Sequence, residues 1–210
     1  MDVQIVLFDG FDPLDVLGPY EVLHLGGGLA GGAVSVELVS AEGARAVPSG
    51  LPAVSLTASA RLDPAAADLV VVPGAAGSLS LDPTEEGSVA SLLARAGRGP
   101  LGPALREAVE RPDTVVATVC GGSLLVAWGG LADGRPLVTH DRGRDLEGTA
   151  ARPVEARVVD DGDLVSAGNV TCGLDLALYL LEREIGPQVA HAVEQVIRLE
   201  RRGTVWRSAA

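Results

Sequence analysis

The residue with the clearest potential for covalent chemistry is Cys120. It follows the apolar run Thr114–Val119, which predicts a buried strand, and it precedes two glycines and an apolar helix. A sharp turn from strand to helix pushes one side chain out over the sheet edge, as in a nucleophile elbow. We expect the helix N-terminus to lower the pKa of this thiol. The alternative is an inert cysteine buried at the end of a strand.

A second turn of small residues could stabilise charge that develops beside the sulfur. The buried run Leu69–Val72 predicts a strand that stops at Pro73–Gly77. Backbone N–H groups stabilise an atom that gains negative charge, and the Ala75 and Gly121 amides could do this if the two turns are neighbours. Taken alone, Pro73–Gly77 is more simply an ordinary tight turn.

A carboxyl group, Asp15, lies in a third segment. The apolar run Val3–Phe8 predicts a strand, and Asp12 and Pro13 then predict the start of a helix. Asp15 falls in the first turn of that helix, where the dipole favours a carboxylate, so capping alone would explain it. Near a reactive thiol, the same carboxyl could instead donate or relay a proton, provided that its pKa is raised.

Apolar runs and turn residues predict strands that alternate with helices. The first helix is expected to end near His24, because the glycine-rich stretch Gly26–Gly32 follows, and 160–163 has the composition of a hairpin turn. The remaining predicted strands are Val34–Ser40, Val54–Leu56, Leu137–Thr139, Val154–Val159 and Leu164–Ala167, and the remaining predicted helices are 84–97, 103–110, Leu124–Leu131, Thr171–Ile185 and Pro187–Arg202.

This alternation predicts an α/β fold, a three-layer α/β/α sandwich with a mostly parallel, flavodoxin-like sheet and helices on both faces. We expect residues 1–210 to form a single domain, because the sequence contains no internal repeat and no linker. Ligands bind at the carboxyl ends of the strands in such sheets. Cys120, Pro73–Gly77 and the segment with Asp15 all fall at that edge.

Charge and composition limit the possible partners. The 28 acidic residues outnumber the 16 basic ones, all arginine, so the net charge is −12. Because a nucleic-acid surface needs clustered positive charge, we expect no nucleic-acid partner. The absence of lysine excludes a Schiff base and a Walker-type phosphate site. The C-terminal arginines are interpreted as a solvated tail or an interface: Arg198, Arg201, Arg202 and Arg207.

The number of cysteines and the hydropathy of the chain indicate whether it binds a metal and where it is located. Cys120 and Cys172 form no disulfide framework, and they cannot form a thiolate zinc site without help from the three scattered histidines. No apolar stretch is long enough to span a bilayer, and the first residues lack the basic segment of a signal peptide. We therefore expect a cytoplasmic protein without a metal site and without a membrane partner.

Four segments resemble a known family. They are LDVLGPYEVL near the N-terminus, VVVPGAAG, TVCGGSLLVAWGGLADGRPLVTH and DGDLVSAGNVTCGLDLALYLLEREIG. In order and spacing they resemble the ThiJ/PfpI superfamily, and the terminal LERRGTVW also fits, so the resemblance covers nearly the whole chain. It implies the class I glutamine-amidotransferase-like fold. The nearest branch is that of the isonitrile hydratases and their regulator-associated relatives.

The resemblance implies roles for particular residues. Cys120 corresponds to the nucleophile, and Asp15 corresponds to the acidic partner that hydrogen-bonds the sulfur and handles protons. Gly74, Ala75 and Gly121 fall where the oxyanion-type amides lie.

Two further segments would complete the site. His140 falls where a histidine lies beside the cysteine, although a strand-end histidine with a packing role is an equal alternative. Residues 168–173 would line the pocket, with Gly168 and Asn169 as candidate contacts, whereas Cys172 is more simply a small packing residue.

The activity implied for an isonitrile begins with attack of the Cys120 thiolate on the terminal carbon. Asp15 protonates the adduct or directs water, and hydrolysis yields an N-substituted formamide. The resemblance implies a small-molecule substrate, a homodimer, and no metal or organic cofactor. The alternatives are a sensor of small molecules or oxidation without turnover, and glyoxalase or deglycase activity, although that branch usually has Glu as its acid.

The sequence departs from the hydratase pattern at three places. The hydratases usually follow the cysteine with Thr-Gly, where this chain has Gly121 and Gly122. They usually carry Trp after the Thr-His pair, where this chain has Asp141. Their middle turn usually has two glycines, where this chain has Gly74 and Ala75. The first departure removes a hydroxyl beside the nucleophile, and the second replaces an apolar pocket wall with a charge.

Overall fold

The computed structural model describes residues 1–80, 82–140, 144–203 and 205–208. Its strands are β1 (Asp2–Leu7), β2 (Ser35–Ser40), β3 (Arg45–Pro48), β4 (Ser55–Ala58), β5 (Ala60–Arg61), β6 (Leu69–Val72), β7 (Val115–Val119), β8 (Pro136–Leu137), β9 (Arg152–Pro153), β10 (Val158–Asp160), β11 (Leu164–Ala167) and β12 (Trp206–Arg207). Its α-helices are α1 (Pro13–Leu29), α2 (Val89–Arg98), α3 (Leu101–Glu110), α4 (Gly122–Trp128), α5 (Cys172–Glu184) and α6 (Pro187–Ile197).

Eight strands form the central sheet, in the order β12-β10-β11-β7-β6-β1-β2-β5. All neighbouring pairs are parallel except β10 and β11, which form the predicted antiparallel hairpin. The central strands β6 and β11 are buried along their whole length, as expected for strands covered on both faces. Helices α1, α5 and α6 pack against one another, and α2 packs against α3 and α4. The predicted three-layer α/β/α fold is confirmed.

The prediction that α1 ends near His24 is wrong, because the helix continues through three glycines to Leu29. Two of these glycines allow close packing. A Cβ on Gly26 would lie 2.5 Å from a methyl group of Leu181 in α5, and a Cβ on Gly27 would lie 2.3 Å from the carbonyl oxygen of Val34. Tertiary contact therefore outweighs the low helix propensity of glycine here.

Replacing Gly27 with alanine is expected to destabilise the fold by about 1–3 kcal/mol, because the new methyl group collides with backbone at Val34. Gly28→Ala is the matched control, since a Cβ there meets nothing within 4 Å. The control should leave stability unchanged or raise it by up to about 1 kcal/mol through helix propensity. Urea unfolding of both variants measures the difference, and equal stabilities would contradict this account.

Other boundaries differ for local reasons. The helix predicted over 84–97 begins only at Val89, because the Ser88 hydroxyl accepts from the Ser91 amide and caps it. The last helix ends at Ile197 instead of Arg202, since Arg198 adopts the left-handed conformation with φ +55°. The weakly patterned strand β3 was not predicted; it pairs with β4 in a hairpin outside the main sheet.

Two of the four C-terminal arginines contact other parts of the chain, whereas Arg198 and Arg202 are exposed. Arg201 pairs with Glu182 and Glu194, and Arg207 lies in the unpredicted strand β12, with its guanidinium 5.4 Å from the centre of the Tyr179 ring. The side chain of Trp128, at the end of α4, is 43% exposed. Among the described residues, no helix has the length and apolar character needed to cross a bilayer.

Candidate active site

Cys120 lies at a strained turn between β7 and α4. Its φ is +56°, a left-handed value that is uncommon for a residue other than glycine. Its amide donates to the carbonyl of Ala167 at 2.9 Å, which anchors the turn to β11. Gly122 is needed to complete it, because a Cβ there would lie 2.3 Å from the Val72 carbonyl oxygen. The strand-to-helix turn therefore has the predicted form.

Three functional groups converge on the face of Gly74. A Cβ added to Gly74 would lie 2.8 Å from Oδ2 of Asp15, 2.8 Å from the amide nitrogen of Gly121 and 3.3 Å from the Cβ of Cys120. The predicted proximity of the two small-residue turns is therefore present, and the carboxyl group of Asp15 lies between them. A side chain at position 74 would collide with these groups, so glycine is needed there.

Backbone hydrogen bonds hold Asp15 in this position. The Asp12 amide donates to the Gly74 carbonyl at 2.9 Å, and the Ala76 amide donates to the Gly10 carbonyl at 3.0 Å. These bonds join the segment before α1 to the turn after β6. The Asp12 side chain accepts from the Leu14 amide as the predicted N-cap. Asp15 thus reaches Gly74 because both segments follow adjacent parallel strands.

Asp15 is fully buried, and its environment makes it a weak acid. The Gly74 amide donates to Oδ2 at 2.9 Å, whereas Oδ1 has no hydrogen-bond partner among the described residues. Burial and the nearby charge of Asp12 raise the pKa of Asp15 from 3.8 to about 7, against the smaller opposing effects of the Gly74 amide and of His140. A carboxyl group with this pKa can both accept and donate a proton near neutrality.

The expected low pKa of the Cys120 thiol is not present. Burial and the negative charge of Asp15 raise the pKa of Cys120 well above its usual value of 9.0, and the hydrogen bond from the Gly121 amide offsets this only in part. Helix α4 is short, and it begins at Gly122 with no side-chain cap. The resting sulfur is therefore a thiol at neutral pH, and it needs a base when it attacks.

His140 is paired with a buried carboxylate that the sequence analysis did not identify. Oδ2 of Asp145 lies 3.0 Å from Nδ1 of His140, and the Thr139 hydroxyl donates to Oδ1. Burial favours the neutral acid, but the interaction with the nearby imidazole of His140 and the hydrogen bond from Thr139 outweigh it, so the pKa of Asp145 lies below its usual value. Nothing in the sequence pattern marked Asp145, because the loop that carries it has no periodicity.

The segment after β11 lines a cavity of about 280 Å³ that Thr139 also faces. Gly168, Asn169 and Cys172 face it together with Thr139 and Arg157. Asn169 is exposed, and Cys172 is buried, in agreement with a packing role for this second thiol. The structure thus places Gly168 and Asn169 next to Thr139, at the end of β11.

Ala75 and Gly121, the other residues predicted to stabilise charge, have different surroundings. Ala75 is buried and opposes Phe11 in an isolated bridge. The Gly121 amide donates to the Cys120 sulfur itself. Asp141, the residue that departs from the hydratase pattern, lies outside the described residues.

Within the described part of the chain, no group of three or more His, Cys, Asp or Glu side chains could hold a metal ion.

The chain therefore belongs to a class of α/β proteins in which a cysteine lies at a strand-to-helix turn, beside a buried acid, on a mostly parallel sheet covered by helices. Within this class, the model of the DJ-1/PfpI family matches residues 1–183, and the chain belongs to that family. It is also 30% identical over 207 residues to the isonitrile hydratase of Pseudomonas putida, covering 92% of this chain and 76% of that protein.

Solved structures share the fold. DJ-1beta of Drosophila melanogaster has a TM-score of 0.76 at 18% identity, covering 95% of this chain and 98% of that one. A ThiJ/PfpI family protein from Pseudomonas syringae has a TM-score of 0.76 at 22% identity, covering 96% and 76%. An AraC family transcriptional regulator from Pseudomonas putida has a TM-score of 0.68 at 21% identity, covering 93% and 98%.

Proposed function

We propose that this protein hydrates a small isonitrile to an N-substituted formamide, with Cys120 as nucleophile and Asp15 as proton carrier. The observation that carries the proposal is the convergence of Asp15, the Gly121 amide and Cys120 on the face of Gly74. The relation to an isonitrile hydratase at 30% identity supports the choice of substrate class.

The first half of the reaction adds the S–H group across the isonitrile carbon. The Cys120 sulfur forms a bond to the terminal carbon while its proton passes to Asp15. Asp15 then delivers a proton to the same carbon, which yields a thioimidate, R–N=CH–S–Cys120. A carboxyl group with a pKa of about 7 suits this exchange, because it accepts and releases a proton at similar cost near neutral pH.

The second half releases the product. Water adds to the thioimidate carbon, one of its protons passes to the nitrogen, and the carbon–sulfur bond breaks as the sulfur regains a proton. The products are R–NH–CHO and the free thiol, so atoms and charges balance. Backbone amides such as those of Ala75 and Gly121 stabilise charge in the addition steps under this proposal.

The raised pKa of the Cys120 thiol favours turnover over oxidation sensing. Peroxide oxidises thiolates, and a thiol held protonated by burial and by Asp15 reacts slowly with it. The same site needs no free thiolate for hydration, because Asp15 accepts the proton during attack. We therefore rank the sensor function below the hydratase function.

The direct test is incubation with cyclohexyl isocyanide and detection of N-cyclohexylformamide by its formyl proton in NMR spectra. The expected result is catalytic turnover by the wild-type protein, with many product molecules per chain. Absence of turnover would refute the hydratase proposal. Parallel assays with methylglyoxal and with peroxide, followed by intact mass, identify glyoxalase activity or oxidation sensing in that event.

The assembly and domain organisation are proposals as well. We propose that residues 1–210 act as one cytoplasmic domain, since the main sheet combines β1 from the start of the chain with β12 near its end. We also propose a homodimer. Leu14 and Leu17 on α1 are 51% and 42% exposed, and apolar side chains of this size on a surface suit an interface.

A further inference from the structure

A groove of about 810 Å³ lies between α2, α3 and α4, outside the active site described above. Each helix contributes one buried leucine to it: Leu93, Leu105 and Leu125. The exposed indole of Trp128 and the side chain of Leu131 extend the apolar lining beyond the end of α4. Sites for small molecules usually have volumes of about 300–1,000 Å³ and a mostly apolar lining, so this groove has the dimensions of a ligand site.

Two glycines shape the groove. A Cβ on Gly102 would lie 2.1 Å from the carbonyl oxygen of Gly97, so the start of α3 lies directly against the backbone of α2. A Cβ on Gly97 would lie 3.4 Å from Cδ2 of Leu125, an ordinary contact distance, and would meet no other group outside its own helix within 4 Å. The groove therefore has bare backbone on one wall, with free space beside it.

One side chain divides the groove from the active site. A Cβ on Gly121 would lie 3.0 Å from Cδ1 of Leu93, and Leu93 is fully buried. Gly121 directly follows Cys120, whereas Leu93 lines the groove. A molecule in the groove therefore contacts Leu93 from the side opposite to the nucleophile turn, and the groove is a second site.

The charged residues of the groove favour an anion. Arg106 and Glu110 form an ion pair at 3.9 Å, which leaves Arg98 and Arg111 against Glu107. Within the described part of the chain, neither Arg98 nor Arg111 forms an ion pair, and Nε of Arg111 is buried without a hydrogen-bond partner. A buried donor that lacks an acceptor costs free energy, and a bound anion would supply that acceptor. This local excess of positive charge stands out in a chain of net charge −12.

We propose that this groove binds a medium-chain aliphatic carboxylate, with its carboxylate on Arg111 and its apolar chain on the three leucines beside Trp128. The guanidinium of Arg111 donates to the carboxylate, and the chain of the ligand displaces water from apolar surface. This site is independent of the proposed hydration reaction, because it includes neither Cys120 nor Asp15.

The first measurement is a fluorescence titration with octanoate below its micelle concentration. Trp206→Phe leaves Trp128 as the only tryptophan, so its emission reports on the groove alone. The expected result is a saturable shift of the emission to shorter wavelength as octanoate covers the indole. Hexanoate should bind roughly tenfold more weakly, because it has two fewer methylene groups to bury. Octylammonium, which has the same chain length and the opposite charge, should also bind at least about tenfold more weakly.

The second measurement repeats the titration with variants in the same background. Arg111→Gln should weaken octanoate binding about tenfold or more and leave the binding of neutral 1-octanol unchanged. Arg95→Gln is the matched control, because Arg95 is an exposed arginine of α2 that does not line the groove. Gly97→Leu should fill the groove and abolish the binding of both ligands, whereas Cys120→Ala should bind octanoate as tightly as its parent.

Three results would overturn the proposal. The first is equal affinity of the parent protein for octanoate and octylammonium, a comparison that holds even if Arg111→Gln fails to fold. The second is loss of octanoate binding in Cys120→Ala, which would place the ligand in the active site. The third is a shift of Trp128 emission that depends on protein concentration and not on octanoate, together with a matching change of mass in analytical ultracentrifugation, since a second copy of the chain would then cover the groove.

Discussion

Alanine at position 120 is expected to abolish formamide production from cyclohexyl isocyanide, with a loss of about 10⁴-fold or more in kcat. The reason is that the sulfur forms the only covalent bond to substrate in the proposed reaction, and the described site offers no second nucleophile on the face of Gly74. The fold should remain intact, because Cys120 is only partly buried and its anchoring bond to Ala167 comes from the backbone. The measurement is initial rate by NMR, with circular dichroism to confirm folding.

The matched control is Cys172→Ala, which removes the other thiol of the chain. Cys172 is buried at the start of α5, where it lines the cavity next to Thr139 and does not contribute to the convergence on Gly74. We expect this variant to keep its rate within a few-fold of wild type. A Cys120→Ala variant as active as Cys172→Ala would disprove nucleophilic catalysis by Cys120.

Replacing Asp15 with asparagine is expected to lower kcat by about 10²–10⁴-fold, the usual contribution of a positioned acid–base group. An asparagine oxygen can still accept from the Gly74 amide, so the turn should stay in place while the proton carrier is lost. In the wild-type protein, the rate should change with an apparent pKa near 7, the value that burial gives Asp15. That inflection should disappear from the pH–rate profile of Asp15→Asn.

The same substitution should change stability in a pH-dependent way. The pKa of Asp15 is 3.8 in an ordinary environment and about 7 in the fold. Between these values the folded state holds a proton that the unfolded state has lost, so wild-type stability falls as the pH rises from about 4 to about 7 and is level above that. The loss amounts to about 4 kcal/mol, and Asp15→Asn should not show it.

Urea unfolding at several pH values measures this difference. Asp12→Asn is the control, because asparagine still caps α1 while the charge that helps to raise the pKa of Asp15 is removed. That variant should remain active, with its rate inflection shifted to lower pH. If the difference in unfolding free energy between wild type and Asp15→Asn were the same at pH 4 and at pH 7, Asp15 would not be a buried weak acid.

The sequence was sufficient to place Cys120, Asp15 and Pro73–Gly77 at one edge of the sheet. This prediction depended on simple features: buried strands of four to six residues, and the rule that parallel strands end at a common edge. The same reasoning found the fold, because strands and helices alternate without ambiguity in the central part of the chain.

The features that the sequence did not predict depend on contacts between residues far apart in the chain. Gly26 and Gly27 predict the end of a helix by propensity, yet Leu181 and Val34 make glycine the residue that packs there. The thiol of Cys120 was expected to be acidic from the helix alone, but its pKa depends on burial and on a carboxylate far away in sequence. Asp145 was missed because its importance comes from its distance to His140.

Helix α1 is fixed at both ends, and this has a mechanical consequence. At its start, the Asp15 carboxylate accepts from the Gly74 amide, and at its far end Gly27 lies against the carbonyl of Val34. Each residue of an α-helix advances about 1.5 Å along the axis, and a misplacement of about 1 Å in a catalytic group can cost about 10²-fold in rate. We therefore expect that a larger side chain at Gly27 would displace the whole helix along its axis. Such a displacement would change the distance between Asp15 and Cys120 at the opposite end.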